Sequence, residues 1–135
     1  MTRPQIYVNL PVEDLDRSVR FFTALGFRFN PQFTDQNATA MIIGEDSFVM
    51  LLVKPFFQSF TKLPLPPPGH VGAIIALSQP DRAAVDAIVA RARDAGGTVS
   101  AEPVDHGFMY QHGFADPDGH LWEVMHMDMS AFPTE

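Results

Sequence analysis

Apolar residues recur along this chain in two kinds of spacing, and each kind occurs twice. The stretch Ile6-Tyr7-Val8-Asn9-Leu10 is β-prone and partly alternating. From about Asp14 to Leu25 the spacing changes. Leu15, Val19 and Phe22 fall at i, i+4 and i+7, so they form one apolar face of a helix, and Gly26 supplies the stop. Further along, Ala73-Ile74-Ile75-Ala76-Leu77 reads as a second short strand. Ser78 is placed to cap the helix after it, and Pro80 sits in the first turn, where a missing N–H is harmless. Val85, Ile88, Val89 and Ala92 trace its buried face, and Gly96-Gly97 ends it.

Three further strands are predicted after each helix. The first set is Arg28–Phe33, Thr39–Ile43 and Ser47–Val53; the second is Thr98–Val104, Met109–Ala115 and His120–His126. Each half is therefore βαβββ, and self-similarity of this kind decides the architecture. The expectation is an α+β fold in which two βαβββ repeats form a cupped mixed sheet around a small-molecule cavity. The repeats run over about 4–54 and 71–128, within a single domain of residues 1–135. Between them lies a proline-rich linker, about 55–70, with Phe56, Phe57 and Phe60. Those rings either cover a sheet or a partner, or close over a ligand.

Composition removes several functions. The chain has 135 residues, 46% hydrophobic and 19% charged, which suits one ordinary globular domain. The formal net charge of −7, with no basic stripe, makes nucleic acid an unsuitable partner. There is no cysteine, so disulfides, thiolate metal sites and a cysteine nucleophile are excluded. No apolar run is long enough to span a bilayer, and no signal core follows Met1; a cytoplasmic protein is expected. Dinucleotide fingerprints, phosphate loops and nucleophile elbows are absent from the sequence.

The clearest local signal is Asp116-Pro117-Asp118-Gly119, a hairpin turn. Centring that turn between Pro117 and Asp118 pairs Phe114 with Leu121, His112 with Glu123 and Tyr110 with Met125, all on one face. Trp122 and Val124 then point to the core, and Glu123 points into the cavity with His112 as its partner. The pair is read either as a buried His–Glu hydrogen bond or as an acid/base or ligand-holding pair.

The paired halves, the segment Leu10-Pro11-Val12-Glu13-Asp14-Leu15-Asp16-Arg17-Ser18 and the ending Asp116-Pro117-Asp118-Gly119-His120-Leu121-Trp122-Glu123 resemble the vicinal oxygen chelate superfamily of glyoxalases, bleomycin-resistance proteins and extradiol dioxygenases. The segment Asp105-His106-Gly107-Phe108-Met109-Tyr110 looks like that of the small bacterial glyoxalase-like proteins called predicted lactoylglutathione lyases. The resemblance implies a divalent metal on four inward positions, which fall here on Tyr7, Leu51, Ile74 and Glu123. Leucine and isoleucine cannot bind such an ion, and neutral tyrosine is a poor ligand for it. No cofactor is therefore expected. An altered metal site built from His112, Glu123 and a loop histidine is the arrangement left open.

Two main functions follow. One is metal-free binding of a small organic molecule in a cavity lined by Tyr7, Asn9, Leu51, Ile74, Phe114 and Met125. The other is a lactoylglutathione-lyase-like lyase or isomerase, with Glu123 as general base and His112 or Tyr110 orienting it. A third reading is a subunit that uses the fold only for association. The resemblance also implies a homodimer.

Overall fold

Each half of the chain begins with a strand, crosses over through a helix, and returns as a three-stranded meander whose last strand lies beside the first. The structure is a computed structural model and describes residues 3–131. Contacts divide the chain into two compact units, Met1–Pro67 and Pro68–Glu135.

In the first unit the order is β1 (Ile6–Val12), α1 (Leu15–Ala24), β2 (Arg28–Asn30), β3 (Ala38–Ile42), β4 (Ser47–Val53) and α2 (Lys54–Gln58). In the second it is β5 (Ile74–Ser78), α3 (Arg82–Asp94), β6 (Val104–Asp105), β7 (Met109–Ala115) and β8 (Leu121–Met127). The two sheets have the same plan, β1-β4-β3-β2 and β5-β8-β7-β6. The first strand of each runs parallel to the last, and the other pairings are antiparallel. A parallel pair needs a crossover, which the helix supplies. The expected pair of βαβββ repeats is the observed fold.

The helices form where their apolar positions and caps agree. The Asp14 carboxylate accepts from the Arg17 N–H at 3.1 Å and caps α1. Phe21 and Phe22 of α1 are almost fully buried, as are Leu25 and Ser18. Leu15 and Val19 are only partly covered, so the buried stripe is rotated from the expected one toward the two phenylalanines. Each buried ring contributes roughly 1.5–3 kcal/mol of apolar burial. In α3 the expected Val85, Ile88, Val89 and Ala92 are all buried. Its cap is Asp81, whose carboxylate accepts from the Ala84 N–H at 2.7 Å. Ser78 was expected there, but it remains in β5, paired with Met125. Gly26 and Gly96, with φ of 102° and 105°, end the two helices in the left-handed region.

Two predicted strands and the linker differ from what is observed. After Asn30 the chain turns into a single 3-10 turn, Pro31–Phe33, started by the Asn30 side chain accepting from the Gln32 N–H. The segment predicted as a strand over Thr98–Val104 forms backbone bridges to β7 only at its ends. Thr98 bridges to Ala115, β6 pairs at Val104 and Asp105, and residues 99–103 bow away. The proline-rich segment after Val53 starts with α2, which lies against β1 and β4. Phe56 and Phe60 of this segment meet edge to face at 5.1 Å.

Candidate functional site

The site of interest in the second unit is set by one turn. The Asp116 N–H donates to the His120 carbonyl at 3.0 Å, and the Asp116 carbonyl accepts from the Gly119 N–H at 2.9 Å. Its carboxylate accepts from the Asp118 and His120 N–H groups and, through Oδ2, from the Trp122 indole N–H at 3.1 Å. Gly119 takes φ of 86°. This is a three-residue loop closed by a left-handed glycine, rather than a two-residue turn. Asp116 is buried, and that burial raises its carboxyl pKa above the ordinary aspartate value.

The extra loop residue shifts the β7–β8 register by one from the expected pairing. His112 faces Val124, Gly113 faces Glu123, Phe114 faces Trp122, and Tyr110 faces His126. A one-residue slip exchanges the two faces of a strand relative to its partner. His112 and Phe114 therefore share the helix side with Trp122 and Val124, and all four are buried. Phe114 and Trp122 stack with centroids 6.4 Å apart. His112 and Glu123 lie on opposite faces, so the expected His–Glu pair is corrected. The His112 Nε2 is instead 2.7 Å from the Ala101 carbonyl. A carbonyl only accepts, so this bond places a proton on Nε2.

Tyr110 is also placed on the helix side. Its hydroxyl donates to Asp86 of α3 at 2.6 Å, which raises the phenol pKa. Arg82 of α3 lies over the Tyr110 ring at 5.1 Å and forms a forked pair with the Asp105 carboxylate at 2.6 and 3.0 Å. The Arg82 pairing, together with the Gly107 N–H, lowers the Asp105 pKa to about 2. These contacts account for much of the Asp105-to-Tyr110 segment: it fastens α3 to the β6–β7 hairpin.

The opposite face of this sheet carries Ile74, Ala76 and Ser78 of β5 beside Leu121, Glu123 and Met125 of β8. Of the residues expected to line a ligand, Ile74, Glu123 and Met125 are brought together here. Glu123 lies between two small residues of this face, Ala76 on one side and Gly113 on the other. Its carboxylate folds over Gly113 so closely that a Cβ added there would sit 2.9 Å from Oε1. Among the described residues the Glu123 carboxylate makes no hydrogen bond or ion pair. Beside it, where residues 99–103 leave β7, a hollow of about 230 Å³ is lined by Ser100, Glu102, Gln111, His112, Gly113 and Glu123, among others. Gly113, Ala76 and the 99–103 bow were missed from sequence. Counting the Asp116 loop as three residues finds Gly113 opposite Glu123, and strand alternation from Ile74 finds Ala76.

In the first unit, Tyr7 and Asn9 lie on the face away from the α1 side, paired with Phe48 and Met50. Tyr7 stacks on Phe48 at 4.8 Å. Leu51 pairs with Leu10, is fully buried and belongs to the α1-side core, so it does not share the face of Tyr7. The sequence reading had put it there because Val49–Leu52 is apolar throughout and does not reveal its own faces. Among the described residues no three His, Asp or Glu side chains gather as a metal-binding group. Nor is any helix there long and apolar enough to cross a membrane.

Known proteins match this architecture. Residues 5–124 fit the family described as Glyoxalase/Bleomycin resistance protein/Dioxygenase superfamily. The chain belongs to that superfamily. Among solved structures it is similar to hypothetical protein SA1046 from S. aureus, with 30% identity, TM-score 0.78, and 93% of this chain and 94% of that one covered. It is similar to virulence protein STM3117 from Salmonella typhimurium at 25% identity, TM-score 0.64, covering 94% and 99%. A glyoxalase-related enzyme from Fulvimarina pelagi, at 20% identity, TM-score 0.77, covering 93% and 88%, shares the fold. A comparison with curated proteins gave no match.

Proposed function

We propose that this protein binds a small organic molecule at the Glu123 face of its second sheet, without the divalent metal that the superfamily commonly uses. The observation that carries the reading is the Glu123 carboxylate, partly buried, without a partner among the described residues, and next to a hollow of about 230 Å³. A carboxylate taken partly out of water and left unpaired is costly unless something else satisfies it. The donor set supports the metal-free part. Of the positions that carry ligands in the superfamily, Ile74 is aliphatic, Tyr7 is a neutral phenol stacked on Phe48, and Leu51 is sealed in the core. One carboxylate does not hold Zn²⁺, Ni²⁺ or Mg²⁺ tightly. Ile74, Glu123 and Met125 of the second unit contact the ligand. The protein works as a cytoplasmic homodimer, which light scattering tests.

A second reading has one observation in its favour. An unpaired carboxylate beside a hollow is also what a general base requires, so Glu123 could remove a proton next to a carbonyl. Against it, among the described residues no Arg or Lys lines the hollow to hold the oxyanion that would form. The test is a thermal-shift screen of small organic molecules in the presence of a chelator, with a methylglyoxal–glutathione turnover assay beside it. Ligands that stabilise the chelated protein, without turnover, support binding. Turnover abolished by Glu123→Gln supports the lyase instead.

A further inference from the structure

The charge of the ligand is written in the hollow, and this inference rests on the binding reading just given. The residues around the Glu123 carboxylate are uncharged. Across the sheet lie Ala76 and Gly113, and along β8 lie Leu121 and Met125. The hollow adds a second carboxylate, Glu102, and among the described residues no lysine or arginine. The nearest guanidinium described above, Arg82, is spent on Asp105 on the helix side of the sheet. His112 borders the hollow too, with its Nε2 bonded to the Ala101 carbonyl. The charged side chains presented there are thus both carboxylates, beside the Gln111 amide and the Ser100 hydroxyl, and apolar surface comes from Leu121.

We infer that this hollow takes a cationic, donor-rich ligand: a protonated amine or amidine on a compact apolar or aromatic body. An ammonium would meet Glu123 in a charge-assisted hydrogen bond, and such bonds are the strong ones. A phosphate, carboxylate or sulfonate would face two like charges with nothing to neutralise it. Gly113 makes the arrangement possible, because any side chain there would push the carboxylate off its place beside the hollow.

The experiment is an amide NMR titration of the whole protein with three probes of matched shape: phenethylamine, 2-phenylethanol and phenylacetate. Phenethylamine is expected to shift the amides of Gln111, Gly113 and Glu123 saturably, with the alcohol and the acid at least about tenfold weaker. Glu123→Gln, which keeps the shape, is expected to lose the preference for the amine while its spectrum stays folded. Arg82→Gln serves as a control on the helix side and keeps the preference. If the alcohol or the acid binds these amides as well as the amine, the charge assignment is overturned and the binding site stands. If no probe moves them while the spectrum is that of a folded protein, both the assignment and the site are wrong.

Discussion

Replacing Gly113 with alanine tests the geometry at Glu123 most sharply. The backbone of Gly113 lies outside the left-handed region, so alanine fits its conformation. By that effect alone the change would stabilise the protein by about 0.4–1 kcal/mol, through a less flexible unfolded chain. The added methyl, however, meets Glu123 Oε1 at 2.9 Å, the Trp122 carbonyl oxygen at 3.0 Å and Glu123 Cδ at 3.1 Å. Overpacking of this kind costs about 1–3 kcal/mol. The expected net effect is a loss of about 1 kcal/mol. Two of the three close atoms belong to the Glu123 side chain, so a Glu123→Ala background removes them and leaves only the Trp122 carbonyl. The Gly113→Ala cost should then fall by about 1 kcal/mol, a coupling a double-mutant cycle in urea resolves. Equal costs in the two backgrounds, within about 0.3 kcal/mol, would refute the claim that the carboxylate lies over Gly113.

Other outcomes follow from the same contacts. Asp116→Ala strands two backbone N–H groups and the indole N–H of buried Trp122, and should cost about 3 kcal/mol in urea unfolding, with Asp116→Asn milder. The Asp105 carboxyl has its pKa lowered to about 2 by Arg82 and the Gly107 N–H. Its contribution to stability is therefore full above the ordinary aspartate pKa, about 4, and is lost as pH falls from there through about 2. A carbon-13 titration should show the Asp105 pKa rising in Arg82→Gln, with the Gly107 N–H still holding part of the shift, and an unchanged value would contradict the pairing. Tyr110→Phe removes only the hydrogen bond to Asp86 on the helix side, so it should leave ligand affinity unchanged. A clear loss of affinity in that variant would place Tyr110 in the site after all.

The repeat was legible because both helices announce themselves. Val85, Ile88, Val89 and Ala92 keep helical spacing, and glycines stop both helices where expected. Local spacing of this kind does not depend on distant partners. The faces of strands were less legible, for two reasons. Val49–Leu52 is apolar on both sides, so nothing in it says which way Leu51 points. The β7–β8 faces hung on one turn, and Asp116 lengthens that turn by bonding to residues two, four and six positions on. That carboxylate's role is tertiary, since it also needs Trp122. The 99–103 bow was invisible for a similar reason: Thr98 and Val104 both touch β7, and only the intact sheet shows the gap between them.

The central claim is that Glu123 serves an organic ligand rather than a metal ion. Elemental analysis tests it directly, on protein equilibrated with Zn²⁺, Ni²⁺ and Mn²⁺ and then desalted. The account predicts metal far below one ion per chain, with no change on Glu123→Gln. One tightly held ion per chain, lost in Glu123→Gln, would contradict it.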